Sequence, residues 1–105
     1  MVINRYWIKV HQWVDSQDLP ALPSDLRTDF INYQQILALD PYQTSGIPNH
    51  KLSGKLTHYR ALEIEWNGLI YRLVYRIYES PAPKRVLILS FGLHDPAYLK
   101  AQERK

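Results

Sequence analysis

No cysteine occurs in the chain, which excludes a disulfide framework, a thiolate zinc site and a cysteine nucleophile. No apolar run approaches the about 18 residues of a membrane-spanning helix, and the N-terminus lacks the basic-then-apolar pattern of a secretory signal. Only four glycines are present, and none builds a phosphate-cradling loop. The histidines at 11, 50, 58 and 94 have no zinc-binding spacing. Ser/His/Asp order, internal repeats and low-complexity tracts are also missing. No metal, small-molecule cofactor or membrane partner is therefore expected, and a cytoplasmic location is the simplest reading.

What remains is a chain of 105 residues, 46% hydrophobic and 12% aromatic, the composition of a folded protein. Its length suits a single domain over residues 1–105. The net charge of +3 is unevenly placed. Residues 1–50 carry three bases (Arg5, Lys9, Arg27) against five acids, whereas residues 51–105 carry ten bases against five acids. A basic half suits a polyanionic or acidic partner, and an ordinary solvated surface accounts for it equally well.

Alternation predicts a first strand over Arg5–Val10, with Tyr6, Ile8 and Val10 on one face. His11 to Leu19 fits a short irregular helix or a loop, and Leu19-Pro20-Ala21-Leu22-Pro23 breaks regular structure. Ser24–Leu39 reads as the main helix. Ser24 is its N-cap, Leu26, Phe30, Tyr33 and Leu37 form its apolar stripe, and Asp40-Pro41 is its stop. A loop from Tyr42 to His50 leads into the flexible basic segment His50–Lys55, suited to phosphate contact or to plain solvation. Ala61–Trp66 alternates as a strand. Asn67-Gly68 is a type I′ hairpin signal, and Leu69–Tyr78 returns with Tyr71, Leu73 and Tyr75 on the core face. After the Pro81/Pro83 turn, Arg85–Phe91 is apolar on both faces, as a covered central strand is. Its two sides read as Val86 and Ile88 against Leu87, Leu89 and Phe91. Asp95-Pro96 starts a short last helix that frays. The fold class is α+β: a small antiparallel sheet, one main helix packed on it and a short C-terminal helix.

Leu52-Ser53-Gly54, Tyr59-Arg60, Gly68, Tyr71-Arg72-Leu73-Val74-Tyr75, Ser90-Phe91-Gly92 and Tyr98 together resemble the RelE/ParE toxins of bacterial type II toxin–antitoxin systems. The resemblance runs over residues 24–100 in element order and 51–98 in motif. It implies a cognate antitoxin protein as partner. In the RelE-type branch it also implies a ribosome-dependent mRNA endoribonuclease, in which a 2′-hydroxyl attacks the next phosphate. On that comparison Arg72 stands at the family's strand arginine and Tyr98 at its C-terminal tyrosine, with His94 a titratable neighbour. Lys51, Lys55, Arg60 and Arg76 would contact the RNA backbone.

Two departures stand out. The RelE-type lysines, seven and nine residues before the arginine, correspond here to Glu65 and Glu63, and no arginine precedes Tyr98 in Gly92–Tyr98. A two-residue turn at Asn67-Gly68 places Glu63 opposite Arg72, within reach of a cross-strand ion pair. A carboxylate there is suited to moving protons but not to stabilising an anionic transition state. The alternative implied function is a non-catalytic RNA- or protein-binding module on the same fold, including ParE-like inhibition of gyrase.

Overall fold

In the computed structural model, residues 5–105 are described. They form strand β1 (Trp7–Val10), a π-helical turn (Val14–Asp18) that runs into helix α1 (Leu19–Ala21), and helix α2 (Ser24–Leu39). Strand β2 (Asn49–Lys51), a 3-10 turn (Gly54–Leu56), strands β3 (Tyr59–Trp66), β4 (Leu69–Tyr78) and β5 (Arg85–Leu93), and helix α3 (His94–Arg104) follow. The described strands make one sheet in the order β1-β5-β4-β3-β2. Every pairing is antiparallel except β1 with β5. No described helix is long and apolar enough to cross a membrane.

The β3–β4 hairpin sets the register of the functional face. Asn67 and Gly68 both take positive φ, 51° and 79°, the geometry a type I′ turn requires. Trp66 therefore faces Leu69, and the ladder carries Ile64 to Tyr71 and Glu63 to Arg72. The α2 stripe of Leu26, Phe30, Tyr33 and Leu37 is buried against one sheet face, together with Leu62, Leu73, Tyr75 and Ile88. On the other face Ala97 and Ala101 of α3 pack on Leu56, Ala61, Val74 and Leu89. β5 lies between β1 and β4 with a helix on each side, which accounts for its two apolar faces.

The structure corrects several local expectations. The ladder skips Leu89 between Val74↔Ser90 and Tyr75↔Ile88. This β-bulge turns Leu89 and Ser90 to the α3 side, and Phe91 crosses to the α2 side, where its ring meets Phe30 and Tyr33 at 5.9 Å. Strict alternation fails at such an extra residue. Regular structure persists through Leu19–Ala21, because Pro20 sits in the first turn, where its missing N–H costs nothing. The caps are Pro23 and Leu93 rather than Ser24 and Asp95, each of which lies inside its helix. The segment read as loop and flexible basic linker holds β2, which pairs Asn49–Lys51 with Arg60–Leu62. Finally, β1 begins at Trp7, two residues after the expected start.

Candidate active site

Arg72 projects from β4 towards α3. Its Nη2 lies 3.1 Å from Glu63 Oε1, and its Nε donates to the Tyr98 hydroxyl at 3.3 Å. The guanidinium is largely buried (12% exposed) while Glu63 is 34% exposed, so the arginine forms the floor and the carboxylate the rim. Nη1 is buried and has no hydrogen-bond partner among the described residues. An unspent buried donor costs about 1–3 kcal/mol. His50 Nδ1 approaches the same Glu63 oxygen at 3.4 Å. The His94 ring lies 4.5 Å from the Tyr98 ring, and its Nδ1 is 2.7 Å from Asp95 Oδ1. Beside this cluster a cleft of about 400 Å³ opens, with His50, Lys51, Ser53, His94, Tyr98 and Gln102 on its walls, and it meets the cluster at His50, His94 and Tyr98. Chemically the arrangement offers one guanidinium, two carboxylates, two imidazoles and a phenol.

Local sequence explains the convergence. β2 alternates, so His50 and its ladder partner Ala61 share the face of Glu63, while Lys51 turns to the other with Arg60. Helix α3 must lie close over the sheet for Tyr98 to reach Arg72, and only small residues allow that: Ala97 and Ala101 are essentially unexposed. Ser90, turned inward by the bulge, donates its hydroxyl to the Ala97 carbonyl at 2.7 Å. The far end of α3 is anchored instead of frayed. Arg104 donates through Nη1 and Nη2 to the buried Asp18 carboxylate at 2.7 and 2.9 Å. Asp18 also accepts the Phe91 N–H at 2.9 Å, beyond the point where β1 stops pairing with β5.

Of the expected site residues, the structure brings Arg72, Tyr98 and His94 together, with Lys51 at the cleft wall. Lys55 lies on the 3-10 turn, where its carbonyl accepts from Lys105 Nζ. Arg76 shares the face of Arg72 but stacks between Tyr59 and Tyr78, at 5.6 and 4.7 Å from their ring centres. Arg60 is on the opposite face, in register with Tyr75. It stacks on Tyr42 at 5.7 Å and donates to Asn49 Oδ1. Beside it the Tyr6 and Tyr42 hydroxyls both donate to Glu79 Oε1, at 2.6 and 2.7 Å. Desolvation and that carboxylate push the Tyr42 phenol up to about 12 and raise Tyr6 as well. The two donated hydrogen bonds hold the Glu79 carboxyl below its ordinary value. Among the described residues no group of three His, Asp or Glu is placed to hold a metal ion.

Sheet order, bulge and the helix laid back over the Arg72 face can be compared with known proteins. The chain superposes on a structure titled YoeB/ParE toxin from Agrobacterium tumefaciens with a TM-score of 0.64 at 16% identity, covering 84% of this chain and 98% of that one. It superposes on the E. coli toxin RelE, a mutant in the free state, with a TM-score of 0.63 at 20% identity, covering 95% and 97%. The chain has the RelE/ParE toxin fold. No family model and no curated protein matches the sequence. In this chain Arg72 and Glu63 of the hairpin strands, His50 of β2, and His94 and Tyr98 of α3 stand together in one cluster.

Proposed function

We propose that this protein is the toxin of a toxin–antitoxin pair, an endoribonuclease that cleaves mRNA on the ribosome in the cytoplasm. The observation that carries the reading is the cluster in which Arg72 donates to the Tyr98 hydroxyl and pairs with Glu63, with His50 against Glu63 and His94 against Tyr98. Arg72 holds a phosphate oxygen and offsets the charge that grows on the phosphorane. Glu63 takes the proton of the 2′-hydroxyl as its oxygen bonds to phosphorus. His94 acts as the imidazolium: its Nδ1–H donates to Asp95, and its Nε2–H passes to the departing 5′-oxygen as the P–O5′ bond breaks. The products are a 2′,3′-cyclic phosphate and a 5′-hydroxyl, with atoms and protons balanced. Tyr98 orients Arg72 and closes the cleft, and Lys51, Lys55 and Arg76 attract the RNA backbone. In this scheme the carboxylate at 63 is the proton acceptor, and Arg72 supplies the fixed positive charge at the phosphate. An antitoxin laid across the basic face silences the site.

Induction in a bacterial host tests the biological half of this reading. Wild-type protein is expected to stop growth within a few generations and Arg72→Ala to permit it. Unimpaired growth with both, at equal expression, contradicts the toxin assignment.

A further inference from the structure

A second cavity of about 390 Å³ lies at the end of the sheet where β3 begins, walled in part by Tyr42, Lys51, His58 and Arg60. Lys51 and Leu52 line both it and the cleft beside Tyr98, so the two cavities share a wall at the end of β2.

Its charge is unusual for its burial. Arg60 is half-buried, yet among the described residues no carboxylate lies within ion-pair distance of it. The guanidinium is held by a neutral amide, with Nε and Nη2 at 3.1 and 2.5 Å from Asn49 Oδ1, and by the ring of Tyr42. A cation fixed in place without a counter-charge is an anion receptor. Two carboxylates flank this region and both are engaged: Glu79 accepts the Tyr6 and Tyr42 phenols and faces Lys84 at 3.7 Å, and Asp40 accepts the Tyr42 and Gln43 N–H groups. Lys51 adds a second cation on the face of Arg60. His58 holds φ at +81°, a conformation costly for a residue with a Cβ and frequent at ligand sites. Tyr42 remains 45% exposed although Arg60 covers one face of its ring, which leaves an aromatic surface beside the cations.

We propose that this cavity binds a nucleotide, with the phosphate on Arg60 and Lys51 and the base against Tyr42. A phosphate and a planar ring in one ligand match the two features, whereas a peptide carboxylate uses only the first. That the nucleotide belongs to the strand being cut, one step round the edge of β2, rests on the nuclease reading; the binding itself does not.

The test is titration of the full-length, isotope-labelled protein with AMP, inorganic phosphate, adenosine and N-acetylglutamate, followed by amide shifts in NMR spectra. AMP is expected to move the amides of Tyr42, Thr57, His58 and Arg60 at lower concentration than the other three probes. Arg60→Gln and Thr57→Glu are expected to weaken AMP at least tenfold, and Arg72→Ala to leave it within twofold. Thr57 is exposed, so its variant serves even if Arg60→Gln does not fold. The proposal is overturned if AMP leaves these amides unmoved, if N-acetylglutamate matches AMP, if Thr57→Glu binds AMP as wild type does, or if Arg72→Ala abolishes the response. RNA cleavage without AMP binding removes the cavity assignment alone, and AMP binding without cleavage removes the nuclease alone.

Discussion

Substituting Asp18 with alanine should undock the last helix, and the cost follows from the contacts. The Asp18 side chain is fully buried and the Arg104 side chain 1% exposed. The carboxylate accepts two hydrogen bonds from Arg104, one from the Phe91 N–H and one from Lys100 at 3.1 Å. Without it Arg104 keeps the Leu89 carbonyl at 3.0 Å and the Gln17 amide oxygen at 3.4 Å, and its charge is uncompensated. Breaking a buried pair from one side costs about 3–5 kcal/mol. The Lys100 contact adds little, since that side chain is 36% exposed. Against a total stability of about 5–15 kcal/mol, Asp18→Ala removes a large share, and Tm falls by roughly 12 °C or more. Urea denaturation measures it. Replacing both partners by apolar residues of similar size, Asp18→Leu with Arg104→Met, leaves no orphaned charge and should cost less than the sum of the single changes. A loss below about 1 kcal/mol for Asp18→Ala, or strict additivity in the double variant, refutes the reasoning. Since α3 carries Tyr98 and His94, the same substitution should disable the cleft.

Glu63→Gln separates structure from chemistry: the part-exposed cross-strand pair is worth about 0.2–1 kcal/mol, whereas removing a general base slows cleavage about 10²–10⁴-fold. Urea melts and translation-coupled cleavage assays read the two, and cleavage at the wild-type rate rules out Glu63 as base. The tyrosine cluster sets an alkaline limit. Tyr42 is raised to about 12 and Tyr6 moves the same way, so the unfolded chain loses these protons first. Their stabilisation is complete below pH 10 and disappears as pH rises towards 12. Glu79 is depressed, so its contribution is present above the ordinary carboxyl range and lost as pH falls through its folded value. Tm across pH should therefore drop at both ends, and Glu79→Gln should flatten both drops; unchanged slopes in that variant contradict the assignment.

The main helix, the hairpin and its register were legible because each rests on a local rule: the stripe from Leu26 to Leu37, the positive-φ pair Asn67-Gly68, and alternation from Leu69 onward. The hairpin alone was enough to place Glu63 beside Arg72. What escaped depends on partners distant in the chain. The bulge at Leu89 is fixed by Asp18 and by Ser90 reaching α3, and no periodicity signals it. β2 has three residues, too few to show a pattern, so His50 was readable only as part of a basic segment. Arg60 looked like one more cation near Arg72 because the strand was read from Ala61 onward; carrying the alternation one residue back gives Arg60 the parity of Leu62 and puts it on the other face. The anchoring of α3 by Asp18 joins residues 86 positions apart, beyond any local signal.

The central claim is that the Arg72 cluster cuts RNA, and primer extension on a translated mRNA after brief induction tests it most directly. Wild-type protein should produce new 5′ ends at codon-phased positions. Arg72→Ala should produce none, and Glu63→Gln far fewer. Growth arrest by the wild type without any new 5′ ends would contradict the nuclease reading and leave the fold as a binding module.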